Sequence, residues 1–338
     1  MAILLLPNLI ASKGGPSTFQ KFLIQEAQST GHSFTFNSNS EISACIVING
    51  TRHVFSLLAL KFARKRILLR LGSRYRSNLI SHPDLISTLR YFPRLLSIFF
   101  SCLISDVIIF QSYTVKKEWL RSFPLLFRKK TRVIYNPAPH LPGGRYTRSN
   151  LLSDIYYDSF NLITVEGTHP PLNYSLPYRI HNHFLDRYPT AKLHVFGDIP
   201  HPWPESLLSE NTIIYGAIPL GKIATIVKSL ERPIYILSDN YPCGCPNSLI
   251  EMLFIGLPAI CYSNTPGQEL LELVDGGFCI PSDDDKLQKG RIHNLDHAES
   301  ILQQLLVNYE FYSSNACKIN LKLDPRVIFS GYLDALYG

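Results

Sequence analysis

The sequence predicts an α/β protein made of two doubly wound domains, and three observations support this prediction. Its 338 residues are enough for two domains of ordinary size. Short apolar runs alternate with helical stretches in a βαβ rhythm. The turn-rich segment from Asn136 to Gly144 interrupts that rhythm and is the best linker candidate. Because ligands of open α/β sheets bind at the carboxyl ends of strands, we expect two such domains to face each other across a cleft.

The predicted elements follow the chain in order. In the first half, strands are predicted at Ile3–Leu6, Ser33–Phe36, Ala44–Ile48, Ile67–Leu71, Asp106–Phe110 and Arg132–Tyr135. Helices are predicted there at Ser17–Thr30, Val54–Ala63, Leu85–Ile104 with an interruption at Pro93, and Val115–Leu120. In the second half, strands are predicted at Leu162–Val165, Lys192–Phe196, Thr212–Tyr215, Ile234–Leu237, Ala259–Tyr262 and Phe278–Ile280. Helices are predicted there at Tyr178–Arg187, Leu220–Leu230, Asn247–Ile255, Glu269–Leu273 and Ala298–Asn308. Short apolar strands separated by helices are typical of parallel sheets covered on both faces.

Composition excludes several classes of protein. With 46% hydrophobic and 17% charged residues, the chain is not disordered. The apolar stretch from Leu95 to Ile104 is far shorter than the ~20 residues of a membrane span. Met1 to Leu6 is apolar but lacks the basic n-region and the cleavage site of a signal peptide, so we interpret it as a first strand. The seven cysteines are an odd number, which predicts free thiols in a reducing cytoplasm.

The charge is divided unevenly between the two halves. Residues 1–150 contain 21 lysines and arginines against 5 acidic residues, a net +16, and residues 151–338 contain 12 against 21, a net −9. The basic residues come in bursts, at Lys61, Arg64, Lys65, Arg66, Arg70, Arg74 and Arg76 and again at Arg128, Lys129 and Lys130. Such a field attracts phospholipid head groups, a lipid-linked phosphate or nucleic acid, whereas a solvated surface without a partner is the simpler interpretation. We expect no nucleic-acid partner, because RNP, KH, helix-turn-helix and zinc-finger patterns are missing from the sequence.

Two segments of the basic half allow two interpretations each. Gly14 and Gly15 follow the first strand and open the first helix, where a phosphate could approach the backbone, although an ordinary capped turn fits as well. The spacing is not G-x-G-x-x-G, so a dinucleotide site is disfavoured. The segment from Arg90 to Phe100 mixes basic, aromatic and aliphatic residues, which suits a helix at a membrane interface and equally a buried helix.

The segment from Ser238 to Ile260 is the most specific pattern in the sequence. It consists of a strand end, a Gly/Pro loop, a helix carrying Glu251, then Gly-Leu-Pro and a strand. This arrangement resembles the retaining GT-B glycosyltransferases of family 4. The resemblance extends along nearly the whole chain, to Gly14-Gly15, Ser105–Ser112, Val133–Pro137, Val195–Asp198, Tyr215-Gly216 and Glu269.

The resemblance implies the domain boundaries and the site. It implies a basic acceptor domain over residues 1–140, a linker over 141–152, a nucleotide-sugar domain over 153–322 and a helix within 323–338 that packs back on the first domain. Catalytic positions would be Glu251, through hydrogen bonds to the ribose, and Cys243, where the family has a glutamate. Donor-binding residues would be Gly14, Gly15, Gly197, Asn247, Ser248, Leu249, Glu251 and Glu269. Asn247 or Ser248 would cap the helix, and the amides of Leu249 and Ile250 would face the donor phosphates. The acceptor or anionic surface would include Arg70, Arg74 and Ser112.

The sequence departs from the family at two places. Cys243 is mostly a neutral thiol at pH 7 and cannot replace a carboxylate. The segment from Val165 to Pro170 lacks the Arg and Lys that bind the donor diphosphate in the family, and Arg179, Lys192 or Lys222 would have to compensate. These departures leave two hypotheses open, an active transferase and a pseudo-glycosyltransferase that binds a nucleotide, a glycan or a partner.

We expect no cofactor and no metal. Cys243 and Cys245 form a C-x-C pattern without a second pair, which is a poor zinc signature. The histidines are dispersed, and His169, His181, His183 and His201 are interpreted as loop or surface residues. The leading prediction is therefore transfer of a sugar, with retention, from a nucleotide-sugar to a glycan or lipid-phosphate acceptor in cell-surface polysaccharide or glycolipid synthesis. The protein would be cytoplasmic, with peripheral contact to an anionic membrane.

Overall fold

The chain forms two compact units built from interleaved stretches of sequence. The computed structural model describes residues 2–10, 15–37, 41–73, 85–140, 160–166, 175–197, 209–238, 244–281 and 295–338. Unit 1 comprises Met1–Pro137, Cys243–Cys245 and Leu323–Gly338, and unit 2 comprises Ala138–Pro242 and Pro246–Lys322. The first segment of unit 1 thus ends three residues before the expected boundary at 140. Unit 1 also includes a short stretch at 243–245 that the sequence did not indicate. The expected linker over 141–152 lies outside the described residues.

Each unit contains a sheet of six strands. The strands of unit 1 are β1 (Ala2–Leu6), β2 (Phe34–Thr35), β3 (Ile42–Ile48), β4 (Arg66–Leu71), β5 (Val107–Phe110) and β6 (Lys130–Val133). Those of unit 2 are β7 (Asn161–Glu166), β8 (Lys192–Gly197), β9 (Thr212–Gly216), β10 (Pro233–Ile236), β11 (Ala259–Tyr262) and β12 (Gly277–Ile280). Each of these strands was predicted, with ends that differ by one or two residues.

Helices connect the strands. In chain order the described helices are α1 (Gly15–Ser29), α2 (Val54–Phe62), α3 (Leu85–Ile104), α4 (Tyr113–Ser122), α5 (Ser175–Leu185), α6 (Leu220–Lys228), α7 (Asn247–Phe254), α8 (Pro266–Val274), α9 (Leu295–Val307), α10 (Tyr309–Ala316), α11 (Ile319–Lys322) and α12 (Pro325–Tyr337). A 3₁₀ turn covers Pro124–Arg128. The interruption expected at Pro93 is wrong, since α3 continues through it with the proline ring exposed. Helices α10 and α11 were not predicted.

Every strand pair in the two sheets is parallel. The strand order is β2-β1-β3-β4-β5-β6 in unit 1 and β12-β11-β10-β7-β8-β9 in unit 2. The order reverses between β1 and β3 in the first sheet and between β7 and β10 in the second. The predicted α/β architecture with two doubly wound sheets is confirmed. At such reversal points the connecting loops leave in opposite directions and open a crevice at the carboxyl ends of the strands.

The sheet of unit 1 buries side chains on both faces. One face packs its alternate residues, such as Leu69 and Leu71, against α2, α3 and α4. On a strand the intervening residue points to the opposite face, where Arg70 lies over the ring of Phe19 from α1 and donates to Tyr332 of α12. Helix α12 therefore completes the second face of this sheet, although its sequence lies about 250 residues beyond β4.

Candidate functional site

A buried carboxylate marks the reversal point of the second sheet. Glu166 is the last residue of β7 and is 7% exposed. Thr164 Oγ1 donates a hydrogen bond to its Oε1 at 3.0 Å, and Ser238 Oγ, which follows β10, donates to its Oε2 at 3.5 Å. The ends of β7 and β10 are thus joined through polar side chains, as expected for a ligand crevice in this class of sheet. Glu166 was not among the predicted site residues, although an acidic residue at the end of a buried apolar run is a usable signal.

Gly197 belongs to the same edge. It ends β8 beside Glu166 and has a φ of +107°, and a Cβ added there would lie 1.9 Å from the Glu166 carbonyl oxygen. A side chain does not fit so close to a backbone atom, and L-residues rarely adopt this φ. Its donor-binding role remains a prediction, whereas the structure shows why the position requires glycine.

Glu251 stands on α7, which follows β10. Burial raises the pKa of this carboxyl to about 7. A carboxylic acid that titrates near neutrality is a candidate functional group. Glu251 is only partly exposed, so a fully solvated helix residue is the less favoured interpretation.

The start of α7 differs from the prediction. Pro246 occupies the N-cap position and no side chain caps the helix, so the caps predicted at Asn247 and Ser248 are wrong. Ser248 Oγ instead accepts a hydrogen bond from Tyr235 OH of β10 at 3.0 Å. The amide of Ile250 donates to the Pro246 carbonyl at 3.2 Å and does not face a phosphate. The amides of Ser248 and Leu249 come before the first hydrogen bond of the helix. They therefore belong to the amides at a helix N-terminus that have no partner within the helix and that attract anions. The Leu249 side chain is fully buried in the core.

The N-terminus of α8 reaches the same end of the sheet. A Cβ added to Gly267 would lie 2.9 Å from Leu237 Cδ2, directly after β10. Glu269 is in the first turn of this helix, where the helix dipole favours an acidic residue. The structure thus brings Glu166, Gly197, Ser238 and the α8 N-terminus together at one edge.

The three basic residues proposed as substitutes for the missing pair have different positions. Lys192 is the first residue of β8 and lies at the opposite edge of the sheet, so it cannot compensate. Lys222 is exposed in the first turn of α6. Arg179 of α5 lies near Tyr262 at the carboxyl end of β11, where burial raises the pKa of Tyr262 to about 12 and the guanidinium opposes this shift. Arg179 is therefore the best placed cation of the three.

Unit 1 has its own polar cluster at the carboxyl edge. Asn49 Oδ1, after β3, accepts from the Gly72 amide at 2.8 Å, after β4. A Cβ added to Gly244 would lie 2.6 Å from Gln111 Oε1, after β5. Asn136 Nδ2 donates to the Cys245 carbonyl at 3.0 Å and fixes this short segment to unit 1. The segment directly after Cys243 is therefore anchored on the sheet edge of unit 1.

Arg70 and Ser112 are not surface residues. Arg70 is 1% exposed, its guanidinium donates to Tyr332 OH at 3.1 Å and to Asn136 Oδ1, and burial lowers its pKa. Ser112 is fully buried and caps α4 by accepting from the Val115 amide at 3.1 Å. Both predictions of an anionic acceptor surface at these residues are wrong, because their polar atoms are committed to hydrogen bonds within unit 1.

Several predicted residues lie outside the described part of the chain: Gly14, Arg74, Cys243, His169 and His201. Gly15 begins α1. The surface position predicted for His181 is wrong, since it lies in α5 fully buried. Within the described ranges, no group of three His, Cys, Asp or Glu residues is placed to hold a metal ion. No helix of the described residues is long and apolar enough to cross a bilayer.

The comparisons with known proteins bear on the fold. The chain matches no family model and no curated protein. Among solved structures it is similar to Anabaena Alr3699/HepE in complex with UDP-glucose, with a TM-score of 0.63 and 13% identity over 99% of this chain and 100% of that one. It is similar to WaaG, a glycosyltransferase involved in lipopolysaccharide biosynthesis, with a TM-score of 0.59 and 11% identity over the full length of both. The pneumococcal O-GlcNAc transferase GtfA in complex with UDP and GlcNAc gives 0.57 and 15%, over 88% of this chain and 58% of that one.

These structures share their architecture with this chain. Two parallel six-stranded sheets with connecting helices, as described above, form the GT-B glycosyltransferase fold. At identities of 11% to 15%, the similarity shows the fold alone.

Proposed function

We propose that the protein is a glycosyltransferase that moves a sugar from a nucleotide-sugar to a glycan or lipid-linked acceptor with retention of configuration. The main support is the partly buried carboxyl of Glu251 on the helix that follows the reversal strand β10, together with the polar edge around Glu166. The HepE and GtfA structures contain UDP-glucose and UDP, respectively, and they share the fold. Glycan or glycolipid synthesis at the cell surface is the matching context.

In this proposal each group at the edge of unit 2 has a role. Glu251 accepts hydrogen bonds from the ribose hydroxyls, which favours its ionised form. The amides of Ser248 and Leu249 and the α7 dipole stabilise the donor diphosphate. Arg179 supplies a positive charge near that edge. Gly197 lets the strand ends approach closely.

The transfer step itself is a substitution at the anomeric carbon. The bond from this carbon to the diphosphate oxygen breaks, the bond to the acceptor oxygen forms, and the acceptor proton goes to the departing diphosphate. The nucleoside diphosphate leaves with the electron pair of the broken bond. Preorganised amides and a cation stabilise the charge that develops on it, which is the largest contribution that such a site can make.

A pseudo-glycosyltransferase is the second candidate, and one residue favours it. Cys243 occupies the place where the resemblance expects a glutamate, and a thiol is a weak acceptor without charge at pH 7. Such a protein would bind the nucleotide or the glycan but would not transfer the sugar.

Calorimetry with UDP-, GDP-, ADP- and dTDP-sugars tests the proposal. Wild-type protein is expected to bind one of them, and Glu251→Gln to weaken binding by about 1 to 3 kcal/mol because a hydrogen bond to a charged group is lost. Glu310→Gln on α10, an exposed glutamate in a first turn, is the matched control and should not change binding. If no sugar nucleotide binds and Glu251→Gln changes nothing, donor binding by this edge is refuted.

Cys243→Glu separates the two candidates once a donor is known. In an active transferase the restored carboxylate should raise transfer to the acceptor by roughly tenfold or leave it unchanged, in line with one added charged hydrogen bond. In a pseudoenzyme neither wild type nor Cys243→Glu would release free nucleoside diphosphate beyond the uncatalysed rate, although the donor would still bind.

A further inference from the structure

Unit 1 exposes an apolar stripe on helix α3. Four large apolar side chains recur on it every three or four residues and remain 40% to 59% exposed: Phe92, Leu96, Phe100 and Leu103. Residues with this spacing lie on one side of a helix. Helix α2, which packs against α3, adds Phe55 and Phe62, which are 88% and 86% exposed. We call these six side chains the apolar face, and large apolar side chains exposed together on two neighbouring helices mark an interaction surface more often than scattered apolar residues do.

A cavity of about 140 Å³ lies beside the apolar face. Its walls come from α3, α4 and the 3₁₀ turn and are almost entirely apolar, and they include Phe99, Leu103, Trp119, Phe123, Leu125 and Leu126. Leu103 and Leu125 line the cavity and are also 44% and 57% exposed. The cavity mouth is therefore continuous with the apolar face. Apolar cavities of this kind take up apolar ligands and not water.

Basic residues lie at one end of this region. Lys61, Arg64 and Arg66 are exposed at the end of α2 and the start of β4, and Arg128 and Lys130 are exposed on either side of the cavity residue Lys129. Lys129 Nζ donates to the carbonyls of Leu103 at 2.6 Å and Ser105 at 3.0 Å. Burial, followed by the nearby Lys61, lowers its pKa.

The same region carries little negative charge. In the sequence of residues 52–73 and 85–132, the acidic residues are Asp106 and Glu118. Asp106 forms an ion pair with Lys61, so the negative charge of Asp106 is neutralised. The electrostatic field here is therefore positive, as the net charge of +16 over residues 1–150 requires.

We infer that the apolar face docks unit 1 on an anionic phospholipid membrane and that the end of one lipid acyl chain enters the cavity. Exposed aromatic and aliphatic side chains flanked by lysine and arginine are the features of helices that lie in a membrane interface. In a two-fold symmetric contact, a second copy of the chain would bring the same positive charge to the apolar face and would be repelled. A nucleic acid would satisfy the charge but would leave the phenylalanines in water. The anionic bilayer matches both properties, and this inference does not depend on the proposed transfer activity.

Vesicle flotation of the full chain tests the docking. Wild-type protein is expected to float with vesicles of phosphatidylcholine containing about 30% phosphatidylglycerol, and much less with phosphatidylcholine alone or at high salt, where the surface charge is screened. Phe55→Ser combined with Phe62→Ser should reduce flotation at least about fivefold. Both side chains are almost fully exposed, so thermal melting of this variant should match the wild type.

Phe311→Ser is the matched control, since Phe311 is 55% exposed on α10 in unit 2 and is not part of the apolar face. It should float as the wild type does. Docking by the apolar face is refuted if the double variant floats as well as the wild type, if the control loses flotation equally, or if neutral and anionic vesicles recover the same amount.

Fluorescence quenching tests the cavity. The sequence contains two tryptophans, and Trp203→Phe leaves Trp119 of the cavity wall as the reporter. Vesicles whose acyl chains carry a nitroxide should quench Trp119 strongly, whereas a nitroxide on the head group should quench it weakly. Ser122→Leu, which narrows the cavity, should reduce the acyl-chain quenching at least about twofold without abolishing flotation. Flotation with equal quenching from both lipids refutes the entry of an acyl chain.

Discussion

The Cβ position of Gly197 lies 1.9 Å from the carbonyl oxygen of Glu166, so the ends of β7 and β8 approach each other more closely than any side chain allows. Gly197→Ala is expected to destabilise unit 2 by roughly 3 kcal/mol, because it combines a backbone clash with an unfavourable φ of +107°. Gly216→Ala is the control, since Gly216 ends β9 with a φ of +69° and has open space around it. It should cost only about 1 kcal/mol, and urea unfolding of both variants measures the difference. Equal costs would contradict the close approach.

Glu251 should make stability fall as the pH rises. Its pKa is raised from 4.5 to about 7 in the folded state, so between these values the folded protein holds a proton that the unfolded chain has lost. The stabilisation is complete below pH 4.5 and is lost as the pH rises through 7, by about 3 kcal/mol in total. Urea unfolding from pH 5 to pH 8 measures this slope. In Glu251→Gln the contribution of this carboxyl to the pH dependence of the free energy of unfolding should vanish. An unchanged pH dependence would show that the carboxyl is solvated.

Tyr332 on α12 should stabilise unit 1 through its hydroxyl. This oxygen accepts a hydrogen bond from the buried Arg70 Nε, and burial raises the pKa of Tyr332 to about 12. Tyr332→Phe removes one acceptor of a buried guanidinium and should cost about 1 to 3 kcal/mol. Tyr337→Phe on the same helix is the control, because Tyr337 is 52% exposed, and it should change stability by less than about 0.5 kcal/mol. Similar losses of stability from the two variants would mean that the hydrogen bond between Arg70 and Tyr332 makes no specific contribution to the free energy of unfolding.

His194 should make unit 2 sensitive to acid. Asn161 Nδ2 donates to the Glu231 carbonyl, so its Oδ1 accepts from His194 Nε2, and Tyr215 OH donates to His194 Nδ1. Burial, followed by Lys192, lowers the pKa of this neutral histidine from 6.5 to about 4.

The unfolded chain therefore binds a proton between pH 6.5 and pH 4 that the folded protein does not, and stability falls by about 3 kcal/mol as the pH decreases through this range. His194→Gln should be less stable than the wild type at pH 7 but should lose less on acidification. Unfolding at pH 4.5 and pH 7 provides the comparison, and parallel losses in both proteins would exclude His194 as the cause.

The fold was predictable because its signal is local. Strands such as β3 and β11 are short apolar runs between turn residues, and helices with regular periodicity fill the intervals. The helix that carries Glu251 was predictable because it lies between a Gly/Pro loop and Gly-Leu-Pro. Both signals lie within about 25 residues of sequence.

The wrong predictions concern residues whose burial or role depends on contacts with residues far away in the sequence. Arg70 looks like a surface residue in a basic run, but its burial depends on Tyr332, 262 residues away, and on Asn136. Ser112 was interpreted as a binding residue. Its role as the cap of α4 can be recognised only when the first residue of that helix is known. Glu166 was overlooked because its importance depends on the neighbouring strand β10, which is reached only 67 residues later.

Unit 1 contains both ends of the chain, and this affects how the protein is made. During synthesis, β1 to β6 leave the ribosome early, but α12 and Tyr332 emerge only after the whole of unit 2 has been translated. Until then the face of β4 that carries Arg70 lacks its covering helix. Arg70 and its apolar neighbours, which are buried in the complete fold, are therefore exposed to water in the nascent chain. The nascent first unit is therefore a natural client for chaperones, and its folding is complete only after α12 has been synthesised.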